Sequence, residues 1–102
     1  MIIVVVQIPI KRSREAAIAN QTESAKTFRA LADKGLLRKD YINGEAGGGG
    51  IYYWASREAA DAWYTPELRR KMKEKFGVDP IITYYDTYVT VDNVAGEIVV
   101  RK

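Results

Sequence analysis

The stretch Ile2-Ile3-Val4-Val5-Val6-Gln7-Ile8 constrains this chain most, being β-branched and apolar at both parities until Gln7. A strand with one wet face alternates apolar and polar side chains, so a run without alternation predicts a strand covered on both faces. Helices of the chain itself can cover one face of its sheet. In a chain of 102 residues the other face needs a second cover, and a partner subunit's sheet is the simplest. Pro9 has no N–H for a ladder and closes the strand.

The remaining elements follow from caps and breakers. Ser13 is placed to cap a helix from about Arg14 to Lys34, with Gly35 as its stop. Ile18, Ala25, Phe28, Leu31 and Ala32 fall on one face at helical spacing, and Gln21 and Thr22 interrupt that stripe. The interruption is either solvent-exposed or faces a cavity. Leu36 to Ile42 predicts a second strand, more polar than the first. Asn43-Gly44 and Gly47 to Gly50 are expected to turn the chain into a third strand, Ile51 to Ala55. Ser56 caps a short helix to about Tyr64, and Thr65-Pro66-Glu67 restarts helix up to Phe76-Gly77. Pro80 to Val91 predicts one last long strand, and Gly96 to Lys102 a short addition at the tail.

The order β-α-β-β-α-β is the split βαβ of a ferredoxin-like α+β fold. It predicts an antiparallel sheet in a single domain spanning 1–102, with both helical segments on one face. It also leads us to expect the first and third strands side by side and parallel. The residues 93–102 are candidates for the dimer interface.

Composition removes several chemistries. With no cysteine and no histidine the chain has no disulfides, no thiolate–imidazole pair, no Ser-His-Asp triad and no His-ligated metal. The net charge of +3 is mild, and Arg69, Arg70, Lys71, Lys73 and Lys75 are interleaved with Glu67 and Glu74, as on a solvated helix face. Nucleic-acid binding is therefore not the expected role. The apolar opening is too short to span a membrane and lacks the features of a signal peptide, so a cytoplasmic protein is expected.

Candidate site residues cluster around Gly47 to Tyr64, which contains both tryptophans and three of the seven tyrosines. Tyr52 and Trp54 share one strand face. If Gln7 points to the same side, the two strands flank a space closed by Trp63, Phe28 and Leu31. A largely apolar pocket with a few polar anchors is the usual form of a small-ligand site. The same residues could equally satisfy one another within a core. The four glycines are not a phosphate loop, because strand rather than helix follows them and the GK[ST] ending is missing. Asp40 and Asp86, each among aromatics, are candidate bases; more often such strand carboxylates are edge charges.

Gly35-Leu36-Leu37, Glu45-Ala46-Gly47-Gly48, Gly50-Ile51-Tyr52 and Ser56-Arg57-Glu58-Ala59-Ala60-Asp61-Ala62-Trp63-Tyr64 resemble the YdhR-like monooxygenase family. That family belongs to the dimeric α/β-barrel superfamily of ferredoxin-like proteins. Phe76-Gly77-Val78 ahead of the last strand adds to the likeness, which spans roughly Gly35 to Asn93. The resemblance implies a homodimer through sheet-to-sheet packing and a pocket lined by a strand Trp like Trp54. It also implies an amide like Gln7, and oxidation of a small aromatic substrate by O₂ with no cofactor and no metal. On that reading Trp54 and Trp63 form the stacking surface, with Gln7 and Tyr52 as polar anchors. The haem-degrading branch requires a histidine and is excluded. The alternative is a dimer of the same build that binds a small ligand, or serves a stress response, without catalysis. An RNA-binding module shares the topology, but the first strand has no residue on which a base can stack.

Overall fold

The alternation absent from the first strand's sequence appears in its burial. In β1 (Ile2–Ile8), Ile2, Val4 and Val6 are buried while Ile3 and Val5 are half-covered and Gln7 is exposed. The even residues carry the core. The computed structural model describes residues 1–102. After β1 come α1 (Arg14–Arg29), β2 (Leu36–Gly44), β3 (Gly47–Trp54), α2 (Arg57–Trp63), α3 (Pro66–Phe76) and β4 (Ile81–Asp86). A terminal hairpin of β5 (Val89–Asp92) and β6 (Glu97–Val100) completes the chain. No helix is long and apolar enough to cross a membrane.

The sheet order is β2-β3-β1-β4, with every neighbouring pair antiparallel. This is the ferredoxin-like α+β arrangement. It corrects the expectation that β1 and β3 run parallel. Each helical crossover skips a strand, so β3 fills the gap between β1 and β2, and β1 the gap between β3 and β4. Across the centre, Val4 pairs with Tyr52 on one side and Tyr84 on the other, and Ile2 pairs with Trp54. Leu36, Tyr52, Trp54, Ala60 and Tyr64 join the even residues of β1 in one core beneath the helices, with Phe28, Leu31, Leu68 and Met72 packed against it. Each fully buried valine contributes about 1.5–3 kcal/mol.

Local chemistry sets the ends of the helices. The Ser13, Ser56 and Thr65 hydroxyls accept the backbone N–H groups of Ala16, Ala59 and Leu68. Gly77 closes α3 in the left-handed conformation. Gly35 does the same after a 3₁₀ turn, Ala32–Lys34, that continues from α1. Ala17, rather than the exposed Ile18, is the buried residue at the start of α1.

Two other expectations change. Gly47 to Gly50 form the first half of β3 rather than a turn, and Glu45-Ala46 alone joins Gly44 to Gly47 in the hairpin. The predicted long last strand breaks at Thr87-Tyr88. Its second half leaves the main sheet and pairs with the tail, Val89 opposite Val100 and Asp92 opposite Glu97.

Candidate functional site

Between the helix-facing side of the sheet and helices α1 and α3 lies a cavity of about 310 Å³. Its floor is Val6, the backbone of Gly48 to Gly50, and Tyr52; α3 contributes Leu68, Met72 and Phe76. The middle of α1 faces it with Asn20, Gln21, Ser24 and Thr27. The interruption of the apolar stripe at Gln21 is thus a cavity wall, while Thr22 points to solvent.

A bulge decides what β2 presents. Leu36 pairs with Trp54 and Arg38 with Tyr53, leaving Leu37 as the extra residue. Regular alternation would place Leu36 and Lys39 on opposite faces. The bulge puts both on the helix-facing side, with Tyr41 and Asn43 following at spacing two. Leu37 is expelled to solvent.

Lys39 is the result. Its Nζ lies 3.3 Å from the ring centroid of Phe28, 4.0 Å from Tyr41 and 4.5 Å from Tyr52. Burial, then repulsion from Lys75, pulls its pKa down to about 7. Three aromatic faces act in the opposite sense by attracting the ammonium. The other charged residues lining the cavity are Arg12, Lys71 and Lys75, and no carboxylate lines it.

The aromatic walls brace one another. Phe28 meets Tyr41, Tyr52 and Trp63 edge to face, with centroids 6.2, 5.6 and 5.7 Å apart. Ser24 Oγ and the Tyr41 hydroxyl share a 2.6 Å hydrogen bond that ties α1 to β2. Burial raises the Tyr52 phenol well above its ordinary value, so it remains protonated.

The four sequence candidates separate. Tyr52 and Trp63 line the cavity together. Trp54 sits behind them at 1% exposure, its indole N–H donating to the Tyr64 hydroxyl at 3.1 Å. Gln7 lies on the opposite sheet face, exposed, across from Gly49 and Ile81. Its odd parity excludes it from the helix side; the even residues of β1 are the ones that face the helices. The Asp40 carboxylate pairs with Arg38 at 3.2 Å and accepts the Tyr53 hydroxyl, also on the outer face, and Asp86 is exposed at the end of β4. Lys39 was missed because its sequence context, Leu37-Arg38-Lys39-Asp40, suggests a solvated strand. The signal lay in the pairing register, which no local pattern encodes.

No known family model and no curated protein matches the chain. Among solved structures, it is similar in fold to a Deinococcus radiodurans protein described as a "putative antibiotic biosynthesis monooxygenase". The two are 17% identical over 90% of this chain and 97% of the other, with a TM-score of 0.60. At that identity the likeness shows the fold.

Proposed function

We propose that this protein binds a small aromatic molecule in its anionic form between sheet and helices, and acts on it as a cofactor-independent monooxygenase. The observation that carries the reading is the cavity's lining, aromatic walls with four cations and no carboxylate. Phe28, Tyr41, Tyr52 and Trp63 offer faces and edges to a ring, and nearby cations favour the ionised form of a phenol or enol. Such an anion is electron-rich and can itself reduce O₂. The protein's task is then to orient it, hold its charge and exclude water. The name of the Deinococcus structure points in the same direction.

Oxygen uptake with phenolic and anthrone-like substrates tests this, with binding followed in parallel through tryptophan fluorescence. Turnover that falls in Trp63→Ala supports it. Binding without oxygen consumption across the panel favours the second reading, a non-catalytic ligand carrier. One observation favours that alternative: neither a carboxylate nor a histidine lines the cavity to take a proton.

The working unit in this proposal is a homodimer joined sheet to sheet. Ile3, Val5, Ile51, Tyr53, Ile81 and Tyr85 share the sheet face turned away from the helices. The β5–β6 hairpin is a separate two-stranded sheet exposing Val89, Val91, Ile98 and Val100. A second copy of the chain supplies apolar cover for both, which is what the unalternating first strand calls for.

A further inference from the structure

We propose that Lys39 is the proton acceptor of the cavity: its neutral amine takes the hydroxyl proton of a phenolic or enolic ligand, and the ammonium so formed holds the oxyanion. The assignment rests on reading the cavity as an aromatic-ligand site. In the step, the ligand's O–H bond breaks with its electron pair left on oxygen, and an N–H bond forms on Nζ. Nothing is oxidised or reduced.

Geometry singles out this amine. The bulge at Leu37 turns Lys39 inward, and Gly50 leaves it room, since a Cβ there would lie 2.8 Å from Lys39 Cε. The cavity's other cations differ in their surroundings. Lys71 has Glu67 at 3.5 Å, and Arg12 and Lys75 lie over Phe76, 5.2 and 5.3 Å from its centroid. Lys39 has no acidic partner and is held among three rings.

The groups facing Lys39 act in two opposing directions. From α3 come Lys71 and Lys75, and from the segment before α1 comes Arg12; all three disfavour a further positive charge. From β2 and β3 come the phenols of Tyr41 and Tyr52, whose ring faces favour the ammonium. Helix α1 adds only neutral groups. Burial first and Lys75 second bring the pKa down to about 7, which leaves both amine and ammonium populated at neutral pH, as proton transfer requires. The three remaining cations lower the ligand's own pKa toward that of the amine. Once the proton has moved, the pair is neutral overall.

4-Nitrophenol, whose ionised form absorbs in the visible, is the probe. Bound to the wild-type protein, it is expected to ionise at a pH about one unit or more below its free midpoint. At neutral pH, calorimetry in buffers of different ionisation enthalpy should show almost no net proton released, because Lys39 takes up what the ligand gives. Lys39→Arg retains the charge but is not deprotonated. It should bind the phenolate and release to the buffer the proton of every ligand molecule that was un-ionised at that pH. Lys39→Met should lose much of the spectral shift. Ionisation that releases a proton equally in wild type and Lys39→Arg, or binding without any spectral shift, overturns the assignment and leaves the pocket reading standing. No binding to any of the three proteins overturns both.

Discussion

The indole N–H of Trp54 donates to the hydroxyl of Tyr64 across 3.1 Å, joining the end of β3 to the residue that closes α2. The rings meet edge to face with centroids 5.8 Å apart, and Tyr52 lies parallel to the indole at 6.4 Å and edge to face with Tyr64 at 5.5 Å. Tyr64→Phe keeps the shape and removes the acceptor, leaving a buried N–H without a partner. The expected loss is about 1–3 kcal/mol. In a domain of this size each kcal/mol lowers Tm by about 4–8 °C. Thermal unfolding followed by circular dichroism measures it, and an unchanged Tm would show that the bond contributes nothing.

The two tryptophans should report different events. Trp63 lines the cavity, whereas Trp54 lies behind it and is shielded from any ligand. Trp63→Phe should therefore abolish most ligand-dependent fluorescence quenching, and Trp54→Phe should preserve it. Trp54→Ala should lose about 3–5 kcal/mol of stability, as other buried aromatics do on truncation. Equal quenching in the two Phe variants would mean that the ligand sits elsewhere.

Glycine in β3 matters for backbone approach rather than for turning. Gly49 has φ 140°, and a Cβ there would run into the backbone carbonyl oxygen of Val6 on the neighbouring strand. Gly44, next to the hairpin loop, meets nothing within 4 Å. Gly49→Ala is expected to destabilise by at least about 1–3 kcal/mol, the usual range for a strained backbone. Gly44→Ala should stay within about 0.5 kcal/mol of wild type. Urea unfolding of the pair checks the contrast, and similar midpoints would refute it.

Features encoded by neighbouring residues were legible in the sequence. Ser13, Ser56, Thr65, Gly35 and Gly77 mark helix ends because capping involves only the adjacent turn. That β1 is a strand with a buried apolar face was equally plain. Which parity of β1 faces the helices was not, since Ile2, Val4 and Val6 are as apolar as Ile3 and Val5. That ambiguity misplaced Gln7. The bulge at Leu37 and the departure of β5 from the sheet are set by the register in which strands pair rather than by any local pattern, and so the inward turn of Lys39 stayed hidden. Of the cavity lining, Phe28, Tyr52 and Trp63 were visible in the sequence; Tyr41 and Lys39 were not, and Trp54 lies behind the wall it was expected to form.

The proposed dimer predicts that charge on the outer face of the sheet separates the subunits. Val5 is half-covered in the single chain and points away from the helices, so Val5→Glu places a carboxylate where the partner's sheet is expected. Sedimentation should show a dimer for the wild type and a shift to monomer for Val5→Glu, with the helix signal retained. A wild-type monomer at tens of micromolar would remove the partner sheet from the account.

Lys39 also predicts how stability varies with pH. An unfolded lysine titrates near 10.4, whereas burial holds this one at about 7 in the folded chain. Below both values the proton is bound in both states, and the folded state carries the full penalty of a desolvated ammonium. Between them the unfolded chain binds a proton that the folded chain does not, so stability rises with pH across that window. Lys39→Met never carries the penalty. It should be the more stable protein at pH 6, with its advantage shrinking as pH rises to 9. Measurement should stop there, because the buried phenols of Tyr52 and Tyr64 are held protonated beyond their ordinary range. They ionise first in the unfolded chain and so lower stability above about pH 10. Paired denaturation curves of wild type and Lys39→Met at each pH decide the matter. A difference that stays constant from pH 6 to 9 would mean that Lys39 titrates as an ordinary surface lysine.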